Sequence, residues 1–261
     1  MEIALGFIIS VFIALTGVGA GSLTTPLLFL LLGLPAKECV GTALIFATVV
    51  KVVTVPSYIA RQQVNWRVFT HLTAAGLPGV VVGAFLMKRL PTDLVMGCVG
   101  LTIVSITLVN LFRFAHVVQR DRTRWLGPIG LLIGLEMGFS SAGAGAIGAL
   151  SMMSLTKLST AEIVGTNLSF GLALSAVGGL IHAGLGDVNT SVLWKLLIGG
   201  ITGAFAGTSL ASHVGSRKLR FALCLALVYI GSQLSWTSFS KIYATSVSAA
   251  GPPVAPTGPA K

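Results

Sequence analysis

Two ionisable residues lie where the chain is most apolar: Lys51 near the middle of the run 39–60, and Glu136 inside the run that begins at 125. A charge at membrane depth is costly unless it is paired or hydrated, so each is a candidate for binding or coupling. Lys51 would draw an anion, while Glu136 would either pair with Lys51 or carry a coupled proton. The candidate ligands around them are uncharged. Thr42, Thr166 and Asn167 offer hydroxyl and amide groups one turn into an apolar run, where they would face substrate oxygens or hydrogen-bond a neighbouring helix. Gly19, Gly21, Thr24 and Thr25, with Gly143 and Gly145, belong to two glycine-rich stretches whose free backbone N–H groups would favour an anion at a helix N-terminus. The structural alternatives are a Lys51–Glu136 ion pair and glycines that only let helices approach closely.

Other reactive residue types point nowhere so specific. Cys39, Cys98 and Cys224 have no metal-ligand spacing and read as packing residues, so neither metal nor cofactor is expected. His71, His182 and His213 fall near the ends of apolar runs and read as interfacial or packed, and His116 sits in a basic loop. Ser140, Ser141 and His182 supply a nucleophile and a base for an intramembrane hydrolase, but no third orienting group, and the chain is not expected to be an enzyme. The string Gly143-Ala144-Gly145-Ala146-Ile147-Gly148, with Glu162 further on, fits a dinucleotide-binding pattern, yet its flanks lack the polar helix faces of a soluble domain.

The elements that position these residues are set by composition. Hydrophobic residues make up 54% of 261 and charged residues 9%, and mean hydropathy is +0.92. That describes an all-α, polytopic integral membrane protein whose first partner is the lipid bilayer. Apolar runs cover about 3–34, 39–60, 68–87, 94–112, 125–155, 163–185, 190–212 and 218–240. The formal charge of +10 comes from short basic clusters between these runs, which orient a membrane protein rather than bind nucleic acid.

The chain also repeats itself at an offset of 124. Gly19-Ala20-Gly21 returns as Gly143-Ala144-Gly145, and Glu38-Cys39-Val40-Gly41-Thr42 as Glu162-Ile163-Val164-Gly165-Thr166. This divides the chain into a membrane repeat over 1–112, a basic linker 113–124, a second repeat over 125–245 and a Pro-rich tail 246–261, expected to be disordered. As one straight helix, residues 3–34 would extend about 48 Å, against a hydrocarbon core of about 30 Å. A break is therefore expected at Thr16–Ser22 and at its counterpart Ser140–Ala146, with Thr25 as N-cap and Pro26 as first helical residue of a new helix. If each broken segment turns back to its starting side, Arg61, Arg67, Arg113, Arg120, Arg122, Arg124, Lys157, Arg217, Lys218 and Arg220 share one side, and Lys37, Lys88, Arg89, Lys241 and Lys261 the other. That bias, about ten to five, favours re-entrant segments, an inverted second repeat and termini outside the cytoplasm. The next helix of repeat two opens with a capping box, Ser159 with Glu162.

The glycine-rich break followed by Thr24-Thr25-Pro26-Leu27-Leu28, then Val40-Gly41-Thr42, and later Gly143-Ala144-Gly145 with Val164-Gly165-Thr166-Asn167, resembles the TauE/SafE family of sulfite and organosulfonate exporters, transporters of the four-toluene-sulfonate uptake permease type. The resemblance runs from about residue 3 to 235. It implies a small multi-pass permease of the cell (inner) membrane for sulfur-containing anions such as sulfite, sulfoacetate or thiosulfate. Alternating access would rock one repeat against the other, with protons as a candidate coupling ion. An anion channel and a non-transporting scaffold or accessory subunit remain the alternatives, and oligomeric state is not legible.

Overall fold

The computed structural model describes residues 1–16, 20–91, 94–95, 97–101, 104–105, 108, 123–141, 143–210, 228–229, 231–233, 235–236 and 240. Gly19, most of the basic linker and the tail 246–261 lie outside them. The described elements are helices: α1 (Glu2–Thr16), α2 (Ala20–Leu32), α3 (Ala36–Ala60), α4 (Trp66–Arg89), a 3-10 turn (Thr123–Trp125), α5 (Leu126–Ser140), α6 (Gly143–Leu155), α7 (Thr160–Gly184) and α8 (Thr190–Leu210). Both bounds of α5 lie 124 residues after those of α1, and both bounds of α7 lie 124 after those of α3. Among the described residues α3, α4, α7 and α8 are long and apolar enough to cross a bilayer. Helices α1 and α2, at 15 and 13 residues, reach only about 22 and 20 Å.

Local chemistry starts and stops these helices. Asn65 Oδ1 accepts from Val68 N at 3.1 Å at the start of α4, and Asn189 Oδ1 from Val192 N at 3.1 Å at the start of α8. The Ser159–Glu162 capping box is formed at α7. Helix α5 ends at Ser141, whose φ of 65° is left-handed and whose N–H donates to Met137 O. One expectation fails: α2 begins at Ala20, so Pro26 stands inside the helix rather than at its first position. The run Ala20-Gly21-Ser22 is itself helical, and Pro26 costs one N–H bond in the second turn, which neighbouring side chains can offset in a membrane protein.

Glycines set the closest packing. Gly130, Gly134 and Gly138 on α5 lie against Leu72, Gly76 and Val80 on α4, so near that a β-carbon would overlap the α4 backbone. Gly199, Gly203 and Gly207 on α8 meet Ile3, Phe7 and Val11 on α1 in the same manner. Both registers ascend together, so each pair is parallel, and small residues at spacing four let the backbones touch. Between α3 and α7 the register descends: Gly41 faces His182, Leu44 faces Gly178 and Ile45 faces Gly179. Continued along α3, that register sets Val50 opposite about residue 173 or 174, its own counterpart in the repeat.

The two ends of the bundle can be assigned from contacts. Lys195 Nζ donates to Glu2 Oε1 at 3.3 Å, Asn189 Nδ2 to Glu38 Oε2 at 3.0 Å, and Lys37 Nζ to Lys88 O at 3.3 Å. Thus α1, α3 and α8 begin, and α4 finishes, at one end. At the opposite end Gly165 abuts Gln63 O and Gly130 abuts Leu72, so α4, α5 and α7 begin there. Lys195, absent from the basic count above, lies at the first end with Lys37, Lys88 and Arg89; Arg61, Arg67, Arg124 and Lys157 lie at the second. The described residues are therefore balanced, and the charge bias rests on Arg113, Arg120, Arg122, Arg217, Lys218 and Arg220, outside them.

Candidate functional site

Lys51 is 2% exposed and lies one residue beyond Val50, the level at which α3 and α7 come opposite their own counterparts. Its backbone carbonyl accepts from Thr54 Oγ1 at 3.4 Å, but its ammonium makes no hydrogen bond or ion pair with a described residue. Seven residues on, and so on the same face of α3, Tyr58 donates its hydroxyl to Ala14 O at 3.4 Å. Seven residues before Lys51 on that face, Leu44 packs on Gly178 of α7, so Lys51 lies on the inward face of α3. Its counterpart Ser175 is fully buried and turned back to its own helix, donating to Leu172 O at 3.2 Å.

Helix α2 touches the end of α5. Thr25 Oγ1 and Ser141 Oγ are 2.6 Å apart, and a β-carbon on Gly21 would overlap the Ser141 carbonyl and hydroxyl oxygens. Thr24 and Thr25 are fully buried, and Ser22 nearly so. Buried hydroxyls and a left-handed serine therefore line the place where α2 begins against the end of α5. Gly143 opens α6, and the carbonyl of Gly145 accepts from Asn167 Nδ2 at 2.8 Å. Sequence reasoning had named Gly21, Thr25 and Gly145 for this region. It missed Ser141 as the residue on which both Gly21 and Thr25 converge, because that contact crosses 116 residues of chain.

Thr42 and Thr166 stand away from this contact. Thr166 Oγ1 accepts from Asn65 N at 2.8 Å, and Thr42 Oγ1 from Asn189 N at 3.0 Å. Each threonine thus docks the turn that opens a long helix of the other half, with its neighbouring glycine flush against that turn: Gly165 on Gln63, Gly41 on Asp187. The hydroxyls retain one donor each, but their acceptor positions are engaged in holding the halves together.

Glu136 is half-buried. Its Oε1 accepts from Ser140 Oγ at 2.5 Å, and its Oε2 is buried with no partner among the described residues. The pairing with Lys51 considered above is not made: Glu136 is on α5, which packs along α4, whereas Lys51 is on α3, which packs on α2, α7 and α8. The hydrolase geometry is not assembled either. Ser140 points to Glu136, Ser141 to Thr25, and His182 Nε2 to Gly138 O at 3.1 Å. Among the described residues no group of three or more His, Cys, Asp or Glu side chains is arranged to hold a metal.

A family model described as "Sulfite exporter TauE/SafE" matches residues 2–234. The chain is 26% identical over 249 residues to "Probable membrane transporter protein YjnA" of Bacillus subtilis (strain 168), covering 89% of this chain and 98% of that relative. It is 23% identical over 258 residues to a "Probable membrane transporter protein" of Xylella fastidiosa (strain Temecula1 / ATCC 700964), covering 94% and 97%. A second Bacillus subtilis relative, "Probable membrane transporter protein YdhB", is 22% identical over 233 residues, covering 86% and 95%. No solved structure matches significantly.

Proposed function

Since the chain belongs to the sulfite exporter TauE/SafE family, a family of multi-pass membrane transporters, we propose that it carries a small oxyanion, sulfur-containing by the family's description, by alternating access. The observation that carries this reading is Lys51, a fully buried cation near the central level of the bundle with no carboxylate beside it. Leaving an ammonium there without an anion is costly, and an arriving anion supplies the missing partner. The buried hydroxyls of Thr25 and Ser141, with the N-terminal end of α2, which packs on α3, add neutral polar groups that favour an anion. The arrangement is read as two inverted repeats, each opening with a re-entrant pair of short helices, because α1 and α3 begin at one end and α5 and α7 at the other. Thr42, Thr166 and Asn167 then belong to the frame of the site rather than to its contacts, and the membrane is read as the cell (inner) membrane.

The test is flux in proteoliposomes across sulfite, sulfonates, thiosulfate, sulfate and carboxylates, under imposed gradients, with Lys51→Ala in parallel. Saturable movement of at least one of these anions, with counterflow, is expected of the wild type and not of the variant. No movement of any anion sinks the reading, and non-saturable movement without counterflow identifies a channel.

A further inference from the structure

We infer that His182 and Asp187 form a proton-binding site that controls the end of α5, and that this pair, rather than Glu136, is where a proton is coupled to access. The inference rests on the transporter reading for its purpose, but its geometry stands alone. The His182 ring is fully buried. Its Nδ1 lies 3.3 Å from Asp187 Oδ2 and its Nε2 3.1 Å from Gly138 O. Both facing atoms are acceptors, a carboxylate and a backbone carbonyl. A neutral imidazole carries one N–H and satisfies one of them; the second bond needs a second proton. With that proton the pair is an imidazolium beside a carboxylate and has no net charge. Without it the buried pair is anionic and one contact opposes two lone pairs.

The carbonyl concerned matters. Gly138 O belongs to the last turn of α5, where orphan carbonyls need partners from outside the helix, and three residues later Ser141 touches both Gly21 and Thr25. Proton loss at His182 therefore loosens the helix end that seats α5 against α2. Repeat one supplies the comparison. At the equivalent position Tyr58 donates to Ala14 O, the equivalent of Gly138, and Gln63 stands where Asp187 does. The first clasp is a tyrosine hydroxyl, and the second an imidazole.

The charged groups nearby do not take over this role. Glu38 on α3 is held by Asn189, and Lys195 on α8 by Glu2. From α4, Lys88 and Arg89 lie at the same end of the bundle, and on α5 Glu136, two residues before Gly138, accepts from Ser140 through Oε1 while its Oε2 has no partner among the described residues. Asp187 lies in the turn after α7 with its side chain 18% exposed, so it gives the buried ring a route to water.

The test reads the helix end directly. Hydrogen–deuterium exchange of peptides covering 136–145, corrected for intrinsic exchange, is followed in the reconstituted protein from about pH 5 to 8, where histidines titrate. The wild type should lose about tenfold in protection as pH rises, the scale of one charge-assisted hydrogen bond. His182→Tyr, which imports the clasp of repeat one, should keep its protection across the range. Flux should follow the same profile in the wild type and flatten in His182→Tyr. PH-independent exchange in the wild type overturns the inference, as does a step that persists unchanged in His182→Tyr. A retained step without flux of any anion leaves the proton site standing and removes the transporter reading instead.

Discussion

Replacing Lys51 with methionine separates the roles this residue could have, because stability and transport should move in opposite directions. Methionine keeps most of the volume and the unbranched shape of the stem and removes the ammonium. If Lys51 awaits an anion, the resting protein holds an uncompensated buried charge, and Lys51→Met should stabilise it by about 1–4 kcal/mol, the range found when buried charges give way to apolar residues of similar size. The anion meanwhile loses a charge-assisted hydrogen bond worth about 1.5–3 kcal/mol, which is roughly ten- to hundredfold in apparent affinity. An unscreened pair at about 4 Å sets an upper bound near 4 kcal/mol at an effective dielectric of about 20.

The assays are the thermal midpoint in detergent with and without substrate, and initial flux against concentration in proteoliposomes. In the wild type a saturating anion at about a hundred times its Kd should stabilise the fold by about 2.7 kcal/mol. In Lys51→Met that increment should shrink or vanish, on a higher baseline. Lys51→Arg should retain more flux than Lys51→Met, since it keeps the charge. A midpoint that falls in Lys51→Met, together with unchanged flux, refutes the reasoning: Lys51 would then be a structural cation satisfied by something other than substrate.

Three further outcomes follow from the packing. Gly21→Ala should abolish transport and lower the yield of folded protein, because its β-carbon meets a backbone oxygen of Ser141 that cannot move aside; size-exclusion profile and flux report on it. Thr42→Ala and Thr166→Ala should each cost about 1 kcal/mol of stability and leave substrate preference unchanged, so a shifted anion ranking in either variant returns these residues to the site. Single cysteines at Lys88 and Lys195 should label from one side of the membrane, and those at Arg61 and Lys157 from the other. Labelling of Lys88→Cys and Arg61→Cys from the same side would contradict the helix directions.

The apolar helices were legible because glycine, proline and charge punctuate the apolar runs, although the start of α2 was not. Helix α1 ends at Thr16 and α5 at Ser140, 124 residues apart, while Ala20–Ser22, expected within the first break, is helical. What could not be read was anything that depends on a partner far along the chain. Thr42 resembled a ligand because nothing local consumes its hydroxyl; its partner, Asn189, is 147 residues away. Lys51 and Glu136 looked like a pair because opposite charges in apolar runs invite pairing, but the helical face that each occupies depends on which neighbours the two halves exchange. Tyr58 and His182 were readable in principle, as hydrogen-bond donors at equivalent positions of the repeat, yet the difference in their chemistry gains meaning only beside the carbonyls of Ala14 and Gly138.

The same exchange of neighbours bears on what moves. Rocking one repeat against the other would require α1 to slide on α8 and α5 on α4, since both glycine seams join one half to the other. Backbones in contact at every fourth residue do not slide without losing several close contacts at once. Among the described residues α2 and α6 show no such repeated seam, and Thr25 of α2 meets Ser141 at the end of α5. The moving parts are therefore expected to be these short helices, against a frame that includes the other six described helices. Thr25→Cys with Ser141→Cys tests this, because two hydroxyl oxygens 2.6 Å apart become thiols within easy reach of a bond of about 2.05 Å. Oxidation should arrest flux and reduction should restore it. A short thiol-reactive bridge between Glu2→Cys and Lys195→Cys, which ties α1 to α8, should leave flux intact. The reverse pattern, arrest by the α1–α8 bridge and free flux through the Thr25–Ser141 disulfide, would mean that the halves rock after all and that the glycine seams open during each cycle.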